Sequence, residues 1–134
     1  PQYTTAALVT ENKTLCFPAS ADSIPTSLGQ EDHVSMGSIS GRKVNRVLDN
    51  LEHILGIELL TACQAIEFRR PLQSSEILEF AHGLVRRRAS FANEDRIFAD
   101  DIRRTTEMIR DFSFVNDCSE FGQNLNEGFE DWQV

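Results

Sequence analysis

The sequence predicts an all-α fold built around one long helix. Across residues 44–66, apolar side chains recur every three or four positions, which is the period of a helix. Two shorter helical patterns follow, over 75–88 and from about residue 100, and no segment of useful length alternates as a strand would. The long pattern is carried by Val44, Val47, Leu48, Leu51, Ile54, Leu55, Leu59, Ala62, Cys63 and Ile66.

The first helix is predicted over residues 3–13, which contain the apolar run 6–9. Residues 14–30 are predicted to be a loop, because Pro18, Pro25 and several hydroxyl side chains favour turns over a continuous helix. A loop of about 17 residues is longer than a compact domain usually contains, which indicates a functional role.

The long helix is predicted to begin near Asp32, an acceptable N-cap, and to end before Pro71. Its length would be about 36 residues, or roughly 54 Å. A chain of 134 residues has a radius of gyration of only about 15 Å when globular. The helix length therefore predicts additional partners, either a larger chain or an oligomer.

The next helix is predicted over residues 75–88, with Ser74 or Ser75 as its N-cap. The last predicted helix begins at Asp100 or Asp101, whose carboxylates suit the positive end of a helix dipole. Its apolar residues are Ile102, Met108, Ile109 and Phe112.

Charge divides the chain into two predicted regions. The net charge of -8 argues against nucleic acid and anionic lipid as partners, and no apolar run is long enough to span a membrane. Residues 111–134 hold six acidic residues and no Lys or Arg, and no clean helical period is evident there. We therefore predict a helical part, 1–110, and a partly disordered acidic tail, 111–134.

Cysteine and histidine spacing predicts neither a disulfide framework nor a metal site. The three cysteines are widely spaced, which is typical of a reducing cytoplasm. The three histidines lie 20 and 29 positions apart, too far for a paired set of ligands on one helix. The chain opens on Pro1 with no initiator Met or leader, so we expect it to be a piece of a longer protein.

Two short motifs have an ordinary structural interpretation. Gly37 and Gly41 lie four apart in a Gly-Ser-Ile-Ser-Gly run, which lacks serine at the central position of a nucleophile elbow. We interpret them as a place where a neighbouring backbone approaches closely. The run Arg-Arg-Arg-Ala-Ser at 86–90 resembles a kinase target or an anion site, but its arginines also suit the last turn of a helix.

Two runs in the loop and the start of the long helix carry a family resemblance. Residues 17–27 read Phe-Pro-Ala-Ser-Ala-Asp-Ser-Ile-Pro-Thr-Ser, and residues 30–37 read Gln-Glu-Asp-His-Val-Ser-Met-Gly. Together with segments on either side, they resemble the C-terminal part of the histidine ammonia-lyases, within the aromatic amino acid lyases. The resemblance weakens near Asp101 and ends at about Arg110.

The resemblance implies long antiparallel helices assembled as a cytoplasmic homotetramer with shared active sites. It also implies elimination of ammonia from L-histidine to give urocanate, a step of histidine catabolism. In this family the electrophile is 4-methylidene-imidazol-5-one (MIO), formed from an internal Ala-Ser-Gly. This sequence has no such triplet, so the resemblance implies that MIO belongs to another part of the enzyme and that the isolated fragment is inactive.

The resemblance places one substrate-binding residue in this chain, Glu31, with Gln30 as a weaker candidate. An ionised carboxylate suits histidine because it accepts a charge-assisted hydrogen bond from an imidazole N–H. The structural alternative is that Glu31 only complements the N-terminus of the long helix. Three functional alternatives also stay open: another aromatic amino acid ammonia-lyase, an aminomutase, or a non-catalytic helical assembly module.

Overall fold

Helices make up most of the part of the chain that the structure describes. This computed structural model describes residues 1–18, 27–30 and 37–130, and none of these residues lies in a β-strand. The all-α prediction is confirmed. The helices are α1 (Gln2–Leu15), α2 (Gly37–Glu67), α3 (Glu76–Arg88), α4 (Ala99–Arg110) and α5 (Ser113–Glu130), with a 3-10 turn at Ser27–Gly29.

The longest helix is α2, with 31 residues, or about 46 Å at 1.5 Å per residue. It ends at Glu67, ahead of Pro71 as predicted, because proline disfavours helical backbone at the residue before it. The predicted start at Asp32 lies outside the described residues. The loop expected before the longest helix is described only in part.

The chain forms two compact units, Pro1–Leu51 and Glu52–Val134. In the first unit, α1 carries an apolar run but contributes no buried residue. Among the described residues of this unit, the buried one is polar, the side chain of Asn50 on α2. The electrostatic division at residue 110 stays a prediction.

The second unit has the hydrophobic core. Its buried members are Cys63 on α2, Leu84 and Val85 on α3, and Met108 on α4. Burial of one such aliphatic side chain stabilises a fold by roughly 1.5–3 kcal/mol. Four partly buried side chains pack against this cluster, namely Leu59, Phe80, Phe114 and Cys118.

The prediction for Phe112 was wrong. We placed it on the last predicted helix, but α4 ends at Arg110 and Phe112 has a φ of 59° and an exposed side chain. At this turn the Asp111 carboxylate accepts a hydrogen bond from the Ser113 N–H at 2.9 Å, a local side-chain contact typical of turns. This bond lowers the pKa of Asp111.

Helix α5 occupies a region in which the sequence analysis found no helical period. The signal is a 4-3-4 spacing of partly buried apolar residues, Phe114, Cys118, Phe121 and Leu125. Phe121 stacks on Phe80 of α3, with ring centroids 4.1 Å apart and planes within 2°. Apolar packing against α3 therefore stabilises this helix despite its acidic composition.

The close approach expected at Gly41 is not observed, because a Cβ on this residue would meet no atom of the described residues within 4 Å. The close approach is instead at Gly56, in the second unit. A Cβ there would lie 2.7 Å from Thr106 Oγ1 and 2.8 Å from Thr106 N. Glycine at position 56 thus allows α4 to contact the backbone of α2 directly.

All three cysteines are free thiols. Cys16, at the end of α1, is exposed, whereas Cys63 is buried and Cys118 is half-buried. Burial raises the pKa of both Cys63 and Cys118. Among the described residues, no helix combines the length and the apolar character needed to cross a membrane.

Candidate functional site

Both predicted site residues lie in the segment that connects α1 to α2. Gln30 follows the 3-10 turn Ser27–Gly29, and its side chain is exposed. Glu31 lies outside the described residues. The substrate-binding roles of these two residues therefore stay predictions.

The turn before Gln30 is strained. Leu28 has φ 58° and ψ 32°, in the left-handed region, where a side chain costs roughly 1–2 kcal/mol. Its side chain is fully exposed, so packing does not offset this cost. Gly29 follows at φ 84° and has no Cβ to strain. Because such strain concentrates at functional sites, it supports a functional role for this segment.

A polar cluster joins α1 to α2 in the first unit. The Glu11 carboxylate accepts hydrogen bonds from Arg46 Nε at 3.1 Å and from Asn50 Nδ2 at 3.0 Å. Asn50 Nδ2 also donates to Asn12 Oδ1 at 2.8 Å. The bond from Arg46, followed by that from Asn50, lowers the pKa of Glu11. The cluster therefore fixes both helices that flank the candidate segment while Glu11 is ionised.

Lys43 fixes the chain where α1 ends. Its Nζ donates a 2.6 Å hydrogen bond to the Phe17 carbonyl oxygen and lies 5.8 Å from the centroid of the Phe17 ring. Both are favourable contacts for an ammonium group. This role of Lys43 could not be predicted from the sequence, because its partner is 26 residues away and no local pattern links them.

Beside this contact lies a groove of about 470 Å³. Its lining is mainly apolar, and Lys43 is the one charged residue among the nine that line it. No carboxylate or imidazole is among these nine residues, so the groove can hold an apolar group but offers neither of the usual general bases. The lining residues are Leu15, Cys16, Phe17, Pro18, Ser40, Lys43, Val44, Val47 and Leu48.

A second polar cluster, in the second unit, joins the end of α2 to α3. Arg86 Nε donates to Glu67 Oε1 at 3.1 Å. Arg70 donates to both carboxylate oxygens of Glu79, at 3.0 and 2.7 Å. The buried His82 ring lies between these pairs, with Nε2 3.0 Å from Glu67 Oε1 and Nδ1 3.4 Å from Arg70 Nη2.

These contacts indicate that the second cluster is structural. His82 Nε2 approaches Glu67 without the geometry of a hydrogen bond. Both ring nitrogens face protein groups, and the ring is 7% exposed, which leaves little room for a substrate. Across residues 1–18, 27–30 and 37–130, no group of three or more His, Cys, Asp or Glu could hold a metal ion.

The second cluster predicts a pH dependence of stability. Hydrogen bonds from Arg70 and from the Ser74 N–H lower the pKa of Glu79 from 4.5 to about 2. Glu79 therefore stabilises the fold above pH 4.5, and this contribution is lost as the pH falls towards 2. We expect the Tm of Glu79→Gln to fall less than that of the unmodified chain over this interval. Thermal unfolding at a series of pH values measures the difference.

Glu58→Gln is the matched control, because Glu58 is an exposed carboxylate on α2. Its acid sensitivity should equal that of the unmodified chain. If Glu79→Gln and Glu58→Gln lose Tm equally below pH 4.5, the pair of Arg70 with Glu79 does not stabilise the fold.

Comparison with protein families and relatives gives consistent matches. The family model described as aromatic amino acid lyase matches residues 1–87. The histidine ammonia-lyase of Aliivibrio fischeri (strain MJ11) is 46% identical over 113 residues, which is 84% of this chain and 22% of that protein. The histidine ammonia-lyase of Desulfotalea psychrophila is 48% identical, with the same coverage. The chain spans about a fifth of the length of these curated relatives.

Two solved structures also match this chain. The histidine ammonia-lyase of Trypanosoma cruzi matches with a TM-score of 0.84 and 47% identity, over 88% of this chain and 24% of that one. Ergothionase of Treponema denticola, an ergothioneine-degrading enzyme solved with desmethyl-ergothioneine sulfonic acid, matches with a TM-score of 0.76 and 34% identity. That match covers 83% of this chain and 22% of the other.

Proposed function

This chain belongs to the aromatic amino acid lyase family, and from that premise we propose that it is the C-terminal part of a histidine ammonia-lyase. Such an enzyme is a carbon–nitrogen lyase that eliminates ammonia from L-histidine and forms urocanate. The observation that carries the proposal is 46–48% identity to histidine ammonia-lyases over 84% of the chain. Identity to ergothionase is lower, at 34%, which favours histidine over ergothioneine as the substrate.

The residues of this chain do not fit the electrophile of the family. MIO forms from Ala-Ser-Gly, and this sequence contains no such triplet. We therefore assign MIO, and the elimination chemistry that depends on it, to the rest of the enzyme. The contribution that we propose for the present 134-residue chain is a pair of substrate-binding residues.

Glu31 is the residue that we propose to bind the substrate. Its carboxylate would accept a hydrogen bond from an imidazole N–H, worth roughly 1.5–3 kcal/mol when shielded from water. Gln30, beside it, would offer an amide to the same ligand. The contacts of Glu11 with Arg46 and Asn50 support this role, because they fix the helices on either side of the segment.

We propose a homotetramer with shared active sites, located in the cytoplasm. The structural support is a set of exposed apolar side chains on α2. Val44, Leu48 and Leu51 are between 43% and 55% exposed. Adjacent exposed apolar side chains on one helix are typical of a surface that other protein segments cover.

The first test compares this chain alone with the complete enzyme that contains it. The complete enzyme should convert L-histidine to urocanate, which is followed by its ultraviolet absorbance. The 134-residue chain alone should form none, because it lacks the Ala-Ser-Gly sequence and Glu31 by itself does not make the β-proton of histidine acidic enough to remove. Urocanate formed by the purified chain above a blank would contradict the proposal.

Substrate controls separate the alternatives. The complete enzyme is assayed with L-histidine, L-phenylalanine and ergothioneine under the same conditions. A preference for phenylalanine would indicate a different aromatic amino acid lyase, and a β-amino acid product would indicate an aminomutase. Absence of product from every substrate would indicate a helical assembly module without catalysis.

A further inference from the structure

The arginine run at the end of α3 separates into one structural residue and two exposed ones. The Arg86 side chain is 13% exposed, and it donates to Glu67 Oε1 and to the Ala89 carbonyl oxygen. Arg87 and Arg88 are exposed. Packing and hydrogen bonds fix the Arg86 side chain. Arg87 and Arg88 share its favourable place in the last turn of the helix, but their side chains stay exposed.

Ser90 is exposed and lies just beyond the end of this helix. The preceding residue, Ala89, is fully buried and has an extended backbone, with φ -136° and ψ 111°. Arg87 and Arg88 thus lie three and two positions before an exposed hydroxyl on non-helical backbone. This is the spacing that basophilic serine/threonine kinases recognise.

A guanidinium group is already in contact with this hydroxyl. Arg96 Nη1 donates to Ser90 Oγ at 3.0 Å, and Arg96 Nη2 donates to the Ser90 carbonyl oxygen at 2.8 Å. The same Nη2 donates to Asp101 Oδ2 at 2.8 Å, which orients the guanidinium. Arginine forms its strongest hydrogen bonds with phosphate and carboxylate groups, so a phosphate on Ser90 would meet a positioned donor.

The surroundings are locally cationic in a chain with a net charge of -8. Arg104 Nη1 donates to the Arg88 carbonyl oxygen at 3.3 Å, which places a further guanidinium beside the backbone that leads to Ser90. The carboxylates of this region are Asp101, which is paired with Arg96, the exposed Glu94 and Asp95 of the intervening loop, and Asp111, which interacts electrostatically with Arg88.

We propose that Ser90 is a phosphorylation site for a basophilic serine/threonine kinase and that Arg96 binds the resulting phosphate. With ATP as the donor, Ser90 Oγ forms a bond to the γ-phosphorus and the bond from that phosphorus to the bridging oxygen of ADP breaks. The hydroxyl proton passes to a carboxylate of the kinase. This modification is independent of the proposed lyase activity.

Phosphorylation is expected to tighten the connection between α3 and α4. A phosphoserine has three acceptor oxygens and a charge near -2, so it can accept one N–H from each terminal nitrogen of Arg96 while the second N–H of Nη2 stays on Asp101 Oδ2. Asp101 would keep its contact with Arg104, whose Nη1 lies 3.8 Å from Asp101 Oδ1. A carboxylate that is only 6% exposed would therefore retain a cationic partner.

The first arm of the test determines whether Ser90 is phosphorylated. The purified chain is incubated with ATP and a kinase that requires arginine two and three positions before serine, and the product is analysed by mass spectrometry. We expect one phosphate, at Ser90, and none on Ser90→Ala. The double variant Arg87→Gln, Arg88→Gln should be labelled at least about tenfold more slowly, as expected for the loss of about 1.4 kcal/mol of recognition. Absence of label at Ser90, or equal labelling of the double variant, would overturn the proposal.

The second arm measures the role of Arg96. Phosphorylation should raise the Tm of the unmodified sequence by about 3 °C, the shift expected from one additional charge-assisted hydrogen bond in a chain of this size. Arg96→Gln should be phosphorylated as well but should gain no Tm. An unchanged or lower Tm after phosphorylation, or the same gain in Arg96→Gln, would show that Arg96 does not bind the phosphate.

Discussion

In the complete enzyme, Glu31→Gln is expected to lower kcat/KM for L-histidine at least about tenfold, since one charge-assisted hydrogen bond of about 1.4 kcal/mol corresponds to one decade. Glutamine keeps the size of the side chain but removes its charge. If Glu31 only complemented the N-terminus of the following helix, the same change would cost about 1 kcal/mol or less of stability and leave kcat/KM unchanged.

The same substitution should also weaken discrimination against L-phenylalanine. A phenyl ring beside a buried carboxylate forces that carboxylate to lose hydration without gaining a hydrogen bond. Glutamine reduces this penalty, so the ratio of kcat/KM for histidine to that for phenylalanine should fall. A residue that affects only the stability of the fold would not change this ratio.

The measurement is kcat/KM for both amino acids in the unmodified enzyme, in Glu31→Gln and in the control Glu120→Gln. Glu120 is an exposed carboxylate on α5, outside the residues 1–87 that the family model matches, so its substitution removes one charge away from the candidate segment and from the apolar surface of α2. Unchanged histidine kinetics in a folded Glu31→Gln enzyme would assign Glu31 to helix stabilisation.

Gly56→Ala should lower the free energy of unfolding of this chain by about 2 kcal/mol, even though alanine favours a helix over glycine by about 1 kcal/mol. The reason is the contact with α4, where a new Cβ would lie 2.8 Å from Thr106 N and 3.0 Å from Thr106 Cα. Backbone atoms cannot rotate away as a side chain does, so α4 itself has to move.

Gly83→Ala is the matched control, because Gly83 lies within α3 and a Cβ there meets no described atom within 4 Å. It should stabilise the chain by up to about 1 kcal/mol. Urea unfolding of the two variants gives the comparison directly. If Gly56→Ala is as stable as Gly83→Ala, then α4 does not contact α2 closely at this position in solution.

Local periodicity was sufficient to predict the helices that carry a continuous apolar stripe. The end of α2 before Pro71 and the position of α3 after Ser75 follow from residues close in sequence. Helix α5 was not predicted because acidic and amide residues separate its four apolar residues. Only the fold shows that these four residues share one face, on which Phe121 stacks on Phe80 of α3. The exclusion of Phe112 from α4 depends on a left-handed backbone angle that no local pattern signals.

The candidate site residues, unlike the helices, were not predicted from periodicity. Glu31 and Gln30 were identified from a resemblance in the run at 30–37, whereas the contacts that fix the flanking helices were not predicted. Glu11 meets Arg46 across 35 positions and Asn50 across 39, and neither pairing leaves a trace in a single sequence. The predicted roles of Glu31 and Gln30 therefore depend on the family resemblance, whereas the contacts of the flanking helices are evident only from the fold.

Because Cys16 is exposed whereas Cys63 is buried and Cys118 is half-buried, thiol reagents are expected to modify this chain selectively at the end of α1. A thiol reacts with maleimides and disulfide reagents as the thiolate, so a raised pKa and restricted access slow the reactions of Cys63 and Cys118. Cys16 is exposed and immediately precedes Phe17, whose carbonyl oxygen Lys43 binds. A spin label or fluorophore on Cys16 of this chain therefore reports on the end of α1, where the segment that leads to α2 begins.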